Sequence, residues 1–235
     1  MKIKILGTRG EIEPSAPYHA KHSGVLIDKT LLLDLGEKSF LELGPQHIFI
    51  THLHPDHAVF VREPLETTIP VYLPESYQSN LQTQVIADRV SLNGYQITPI
   101  PTLHSKRVKS TAYLIKKGGQ KLLYTGDVAW IEKKYHQLFK NLDLVVTDGS
   151  YLRNGGLIRR DAATGKIYGH TGIPNLVSLF KGYTKQILFI HFGSWFYKMG
   201  TPKARKEIKK LGERAGLTAG IGYDGLELDL SELGT

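Results

Sequence analysis

The sequence predicts one layered α/β domain in which strands outnumber helices. Short β-branched or leucine-rich runs, bounded by Gly, Pro or Asp, recur along the chain, and only a few helical patterns lie between them. A chain of 235 residues can bury one sizeable core, and it contains no internal repeat, low-complexity run or linker. We therefore expect residues 1–235 to form a single domain.

Nine apolar runs are predicted strands, and in chain order they read KIKILG, GVLID, TLLLDLG, HIFITH, IPVYLP, YQITPIP, TAYLIKKGGQKLLYTGD, LDLVVTDG and QILFIHFG. The seventh run predicts a hairpin, because Gly118 and Gly119 suit the positive φ angles of a tight turn. These runs account for most of the expected structure.

Three segments predict helices. The first is 75–89, ESYQSNLQTQVIADR, and the second is IPNLVSLFKG, with Pro174 in its first turn. The third is TPKARKEIKKLGERAG, with Thr201 as a candidate N-cap and Gly216 as the stop. We expect the basic side chains of this last helix to be solvated, with nucleic-acid contact as the alternative.

Composition excludes several classes of function. The chain has no cysteine, which rules out disulfides, thiolate metal sites and cysteine nucleophiles. No window approaches about 18 consecutive apolar residues, and the opening MKIKILGTRGEIEP lacks the apolar core of a signal peptide, so we expect a cytoplasmic protein. A net charge of +8 favours an anionic small molecule, nucleotide or nucleic acid as partner, or reflects a generally basic proteome.

The stretch THLHPDHA concentrates three of the ten histidines and one aspartate. If the strand HIFIT continues into it, the two-residue spacing places His52 and His54 on one side. The proline that follows turns the chain, so Asp56 and His57 can return to the same place. Imidazole and carboxylate together suit zinc, manganese or iron, and so crowded a set favours two ions about 3.5–4 Å apart.

Three further candidate ligands end strand-like runs elsewhere in the chain. Asp127 follows KLLYTG, His191 follows QILFI, and His104 follows ITPIPTL. In open α/β sheets, ligands bind at the carboxyl ends of the strands. We therefore expect these three side chains to meet the histidine-rich stretch at one rim.

The ordered pattern H-x-H-x-D-H, then His, then Asp within TGD, then His resembles the metallo-β-lactamase-fold hydrolases. The resemblance runs from LLLDLG to YDGLELDL and implies a four-layer αββα sandwich with two divalent metal ions, Zn²⁺ first and Mn²⁺ or Fe as alternatives. It implies three ligands for one metal, three for a second and one bridge, which are His52, His54 and His104; Asp56, His57 and His191; and Asp127.

The same resemblance implies that a hydroxide between the ions attacks the substrate. Asp56 would also orient that water and accept its proton. Asp34 would hold a ligand histidine by a hydrogen bond.

The pair Asp56-His57 is shared by glyoxalase II-like thioesterases, lactonases and the ribonuclease Z-like phosphodiesterase branch. The opening ILGTRGEIEPS and the element GHTGIPNLVSLF are similar to the last branch. They imply that His170 contacts the scissile phosphate or donates a proton to the leaving oxygen. Asp148 stands where that branch has glutamate. Four basic residues precede His170 on a loop expected to attract an anion, and they are Arg153, Arg159, Arg160 and Lys166.

The chain also departs from ribonuclease Z. Thr147 replaces a histidine, and no glycine-rich arm is present. We therefore expect a phosphodiesterase for small or cyclic phosphodiesters or short nucleic acid, rather than a pre-tRNA nuclease. The alternatives are a thioester or lactone hydrolase of glyoxalase II-like type, and a non-catalytic, metal-stabilised nucleic-acid-binding protein. A homodimer is left open.

Overall fold

Two β-sheets and one separate hairpin make up the strands of the computed structural model, which describes residues 1–233. Seven strands form the first sheet: β1 (Lys2–Gly7), β2 (Gly24–Ile27), β3 (Leu31–Leu33), β4 (His47–Phe49), β5 (Val71–Leu73), β6 (Thr83–Val85) and β17 (Glu227–Asp229). Eight form the second: β7 (Val90–Leu92), β8 (Tyr95–Leu103), β9 (Ser110–Lys117), β10 (Gln120–Tyr124), β11 (Trp130–Ile131), β12 (Leu144–Asp148), β15 (Gln186–Ile190) and β16 (Thr218–Ile221). The hairpin pairs β13 (Leu157–Arg160) with β14 (Ile167–His170).

Strand direction brings several carboxyl ends to one edge of the molecule. In the first sheet, whose order is β17-β1-β2-β3-β4-β5-β6, strands β3 to β6 are parallel. In the second, whose path is β11-β8-β9-β10-β12-β15-β16, strands β10, β12, β15 and β16 are parallel. Strand β8 runs the same way as β10, because both are antiparallel to β9. The loops after β8, β10, β12 and β15 therefore leave from the same edge.

The main core lies between the two sheets. Phe49 of the first sheet stacks on Tyr72 at 4.4 Å between ring centroids and meets Tyr113 of the second sheet edge-on at 5.5 Å. All three rings are buried, together with aliphatic side chains from both sheets. Each such aliphatic or aromatic side chain stabilises the fold by about 1.5–3 kcal/mol through removal from water.

The outer faces of the two sheets are covered differently. Helices α1 (Ile173–Phe180), α2 (Ser194–Met199) and α3 (Thr201–Ala215) cover the second sheet with an apolar face. Within residues 1–233, the first sheet is covered by loops and by two 3₁₀ helices, Lys38–Leu43 and Val59–Val61. A third 3₁₀ helix, Lys133–Phe139, packs with the α-helical layer. The predicted α/β class is confirmed, although 3₁₀ helices replace α-helices in one outer layer.

The helix predicted over 75–89 is wrong. This segment is irregular apart from edge strand β6. Its two buried apolar side chains lie on opposite sides of the first sheet, with Leu81 in the outer cluster and Ile86 in the core between the sheets. The apolar face of a single helix cannot pack into both of these layers, whereas an extended chain at a sheet edge can place side chains in each.

The other helix predictions are close to the structure. α1 contains Pro174 in its first turn as expected. α3 begins at Thr201 itself, with Gly200 rather than Thr201 as the N-cap, and ends before Gly216. α2 was not predicted. Within residues 1–233, no helix is long and apolar enough to cross a membrane.

Candidate metal centre

Seven His and Asp side chains meet where the carboxyl ends of the strands converge, and we call them the His/Asp cluster. They are His52, His54, Asp56 and His57 after β4, His104 after β8, Asp127 after β10 and His191 after β15. Their ligand atoms form two groups, each within 4.8 Å: the first is His52, His54, His104 and Asp127, and the second is Asp56, His57 and His191. A further group of the same size joins Asp127 and His191 to Asp148 and His170. The structure thus brings together all seven residues to which the sequence assigned metal binding.

The first group consists of three imidazoles and one carboxylate. His54 Nδ1 lies 3.0 Å from His52 Nε2 and 3.2 Å from His104 Nε2. Both Nε2 atoms lie 3.6 Å from Asp127 Oδ2. Ligands about 2.1 Å from a tetrahedral ion are separated by about 3.4 Å, so this spacing suits a cation such as zinc.

The second group places Asp56 and two imidazoles on the other side of Asp127. His191 Nε2 lies 2.9 Å and His57 Nε2 3.7 Å from Asp56 Oδ2. Asp127 Oδ1 lies 3.3 Å from His57 Nε2 and 3.2 Å from His191 Nδ1. Asp127 therefore presents one oxygen to each group.

Asp127 shows that the cluster fits cations. Its side chain is 3% exposed, and Oδ1 has no hydrogen-bond partner within the described chain despite the two nearby imidazoles. A buried, unsatisfied carboxylate oxygen is costly unless a charge compensates it. A carboxylate that bridges two divalent cations meets this requirement, so the donor set suits a dinuclear site.

Asp34 contacts the His/Asp cluster on the side of His57 that faces away from the other ligands. Its Oδ1 accepts hydrogen bonds from the backbone N–H of Thr51 at 2.7 Å and from the Thr51 hydroxyl at 3.0 Å. Its Oδ2 lies 2.7 Å from His57 Nδ1 and accepts a hydrogen bond from Tyr124 Oη at 2.7 Å. Because Nδ1 of His57 is engaged, Nε2 faces the cluster, which is the orienting role expected for Asp34.

The backbone around the cluster is held in unusual conformations. Asp34 and His191 have φ angles of +59° and +56°, a region that non-glycine residues rarely adopt. β4 ends at Phe49, so His52 and His54 lie in a loop and the strand alternation used to place them was wrong. They converge because Asp34 anchors Thr51 and because His57 N donates to His54 O at 3.0 Å.

Protonation differs between the two groups. Burial lowers the pKa of His52 and brings that of His104 to about 4, so both imidazoles are neutral near pH 7. Burial alone would also lower the pKa of His57 and His191, but the carboxylates, led by Asp127, outweigh it. The pKa of His191 rises to about 10. The metal-free second group therefore carries protons that bound cations would displace.

His170 lies beside the cluster with Asp148 behind it. His170 Nδ1 lies 2.7 Å from Asp148 Oδ2 and 3.1 Å from the Ser150 hydroxyl. Its ring lies 4.7 Å from that of His104 and stacks on His191 at 5.7 Å. Burial would lower the pKa of His170, but Asp148 and Asp127 raise it. Within residues 1–233, His170 Nε2 has no hydrogen-bond partner.

A cleft of about 240 Å³ opens onto the second group and His170. Its remaining walls include apolar and aromatic side chains, Ile12, Tyr151 and Trp195, and polar ones, Glu11, Ser150 and Ser194. Trp195 is fixed by a hydrogen bond from Nε1 to Gly149 O at 2.9 Å. The sequence reasoning missed Tyr151, Trp195 and Ser150, although Ser150 and Tyr151 directly follow the run TDG that carries Asp148.

Arg159 and Arg160 lie on β13, are exposed, and do not line this cleft. Arg160 donates to Gly165 O within the β13–β14 hairpin. Arg153 donates from Nε to Gly156 O. The substrate contacts expected of Arg159 and Arg160 therefore stay predictions, and Lys166 faces a different groove.

The His/Asp cluster, at one edge of a two-sheet α/β fold, is suited to metal-dependent hydrolysis. The sequence profile of the β-lactamase superfamily domain matches residues 41–192, a span that contains all seven cluster residues. The chain belongs to this superfamily. Comparison with curated protein sequences finds no significant match.

Solved structures agree in fold over nearly the full chain. The metallo-β-lactamase-fold protein YhfI from Bacillus subtilis is 18% identical with a TM-score of 0.71, covering 97% of this chain and 98% of its own. A diphosphatase from the PhnP family is 17% identical with a TM-score of 0.66, covering 97% of each chain. The short form of human tRNase Z is 16% identical with a TM-score of 0.64, covering 98% and 99%. At these identities the likeness establishes the metallo-β-lactamase fold.

Proposed function

We propose that this hydrolase is a dinuclear metal-dependent phosphodiesterase acting on small or cyclic phosphodiesters or on short nucleic acid. The observation that carries the proposal is the contact of 2.7 Å between Asp148 Oδ2 and His170 Nδ1 beside the His/Asp cluster. This contact supports a role for His170 as a proton donor at the margin of the cleft.

A proton donor distinguishes phosphodiesters from thioesters, because their leaving groups differ in basicity. A thiol has a pKa near 8.5, so the thiolate of a thioester leaves readily without help. The alkoxide of a phosphodiester is far more basic and leaves faster when it is protonated in the transition state. A His170 whose pKa is raised by Asp148 therefore favours a substrate with an oxygen leaving group.

We assign different catalytic roles to two polar residues of the cleft. When bound, a pair of divalent cations would supply Lewis acidity and lower the pKa of water at the site toward neutrality. Asp56 lines the cleft and would accept the proton of the attacking water. His170 would donate a proton from Nε2 to the leaving oxygen, while Asp148, 2.7 Å from Nδ1, would stabilise the imidazolium.

Two further observations support a phosphate substrate. Two of the structural neighbours are named a diphosphatase and a tRNase, and both names refer to phosphate chemistry. The chain also carries a net charge of +8, which attracts anionic phosphate esters over neutral lactones.

The test is a substrate panel on enzyme loaded with Zn²⁺ or Mn²⁺. We expect hydrolysis of bis(p-nitrophenyl) phosphate to exceed that of a glutathione thioester and of a lactone. Asp56→Asn should abolish turnover, whereas His136→Gln, a histidine outside the cluster, should not. Faster thioester or lactone turnover would replace the proposal with the esterase alternative. No turnover with any metal, together with retained nucleic-acid binding, would favour the non-catalytic alternative.

A further inference from the structure

A second, larger groove of about 650 Å³ lies outside the metal cleft. Its walls are the segment around β6, the carboxyl half of β8, the loop 105–109 and the β13–β14 hairpin. We call it the basic groove.

The groove adjoins the candidate active site. Leu103 lines it and immediately precedes His104, and Tyr168 lines it two positions before His170. Gly169 N donates to His104 O at 2.6 Å, which clamps the hairpin to the end of β8. The groove therefore comes within two residues of His104 and of His170 along the chain.

The groove carries more cations than its carboxylates can neutralise. It is lined by Lys106, Arg107, Lys109 and Lys166, against Glu75 and Asp161. Asp161 already pairs with Lys106 and accepts hydrogen bonds from Thr164. Glu75 accepts the backbone N–H of Lys109 at 2.9 Å. Across residues 1–233, no carboxylate lies within 4.0 Å of the side-chain cations of Arg107, Lys109 or Lys166.

The rest of the lining combines apolar side chains with hydroxyl side chains. Pro99 and Pro101 lie along β8, Val85 is 56% exposed at the opposite wall, and Tyr168 adds an aromatic ring. Cations beside an aromatic ring are the combination that holds single-stranded nucleic acid, because the cations contact phosphates and a base can stack on the ring.

We propose that the basic groove binds phosphate-bearing nucleotides of the substrate that lie beyond the scissile bond. The preferred substrate is then a short single-stranded oligonucleotide rather than a mononucleoside phosphodiester. This inference rests on the proposed phosphodiesterase function and adds to it a second binding region with its own residues, Arg107, Lys109 and Lys166.

The test compares two triple variants of the metal-loaded enzyme. Arg107→Ala/Lys109→Ala/Lys166→Ala removes the unpaired cations of the groove, and Lys203→Ala/Lys206→Ala/Lys209→Ala removes three exposed cations from α3 as a control of equal charge. The first readout is the ratio of kcat/KM for hexathymidylate to that for thymidine 5′-(p-nitrophenyl phosphate). The second is fluorescence anisotropy with a labelled phosphorothioate hexathymidylate, which resists hydrolysis.

We expect the groove variant to lower the kcat/KM ratio at least 10-fold and to weaken anisotropy-measured binding. Loss of three contacts to single-stranded phosphates should reduce the slope of log K against log salt concentration by about 2. The α3 variant should change neither readout beyond its general charge effect. Equal behaviour of the two variants would overturn the inference. If binding depends on the groove but neither substrate is hydrolysed, the phosphodiesterase function is overturned, whereas oligonucleotide binding by the groove is supported.

Discussion

Tyr124 donates a hydrogen bond to Asp34 across 2.7 Å, and this contact joins the two sheets directly behind the metal site. Tyr124 ends β10 of the second sheet, and Asp34 follows β3 of the first. The same Asp34 oxygen contacts His57 Nδ1. The orientation of one candidate metal ligand therefore depends on how the sheets are stacked.

Removing the Tyr124 hydroxyl should loosen His57. We expect Tyr124→Phe to weaken zinc binding about 10-fold or more, as found when groups that orient metal ligands are lost. Competition with a chromophoric chelator measures this affinity. Tyr113→Phe is the matched control, because its hydroxyl is also buried but donates to the backbone oxygen of Ile50. Equal effects of the two variants would mean that Tyr124 contributes only general stability.

Gly126 provides a second probe of the same support. A Cβ added there would lie 2.6 Å from Thr51 Oγ1, which bonds Asp34. Gly118 has the same φ of +55° but no atom within 4 Å of an added Cβ. We expect Gly118→Ala to lower the free energy of unfolding by about 1 kcal/mol, because alanine is strained in this backbone conformation. Gly126→Ala should lower the free energy of unfolding, measured with urea, clearly more than Gly118→Ala does, and it should also weaken zinc binding. Equal losses of stability in the two variants would contradict this.

The role of Asp148 predicts a dependence on the leaving group. In Asp148→Asn, His170 loses the charge that favours its protonated form. We expect kcat for an alkyl phosphodiester such as thymidylyl-thymidine to fall about 100-fold or more. Bis(p-nitrophenyl) phosphate should be affected much less, because p-nitrophenolate leaves without a proton. A uniform loss for both substrates would show that His170 binds phosphate rather than donating a proton.

Asp28 gives a pH-dependent prediction away from the metal site. Burial would raise its pKa, but hydrogen bonds from Tyr95, Lys117 and the backbone of Lys2 outweigh burial and lower it. A lowered pKa in the folded state means that the stabilisation is present above the unfolded pKa of about 3.9 and is lost as the pH falls through the folded value.

We expect Asp28→Asn to reduce the free energy of unfolding by about 1–2 kcal/mol at pH 7. Asn suits this position because it tolerates the φ of +47° found at Asp28. The difference between wild type and variant should narrow as the pH is lowered from about 5 towards about 3, because a protonated Asp28 resembles Asn. Urea unfolding across this range measures it, and a constant difference would contradict the prediction.

Much of the site could be predicted from local patterns. His104, Asp127 and His191 each follow an apolar run, and in the structure each follows the corresponding strand. The parallel arrangement of those strands then brings the three residues to one edge. His52 and His54 reach the cluster through a loop that Asp34 holds. The sequence therefore predicted correctly that they lie together, but the reason given, strand alternation, was wrong.

Contacts between residues that are far apart in the sequence could not be predicted from local patterns. Tyr124 and Asp34 are 90 positions apart, and Ser150 and His191 are 41 apart. Both contacts depend on how strands and sheets stack, which no periodicity encodes. The basic groove likewise joins loop 105–109 to the β13–β14 hairpin. The expected cytoplasmic location stays a prediction.

Zinc content tests the central claim most directly. After equilibration with Zn²⁺ and desalting, mass spectrometry of the metal should find about two zinc ions per chain. Asp127→Asn should bind less than one tightly, while His136→Gln should match the wild type. A wild-type protein that retains no zinc, or an Asp127→Asn variant that keeps both ions with unchanged affinity, would contradict a dinuclear centre bridged by Asp127.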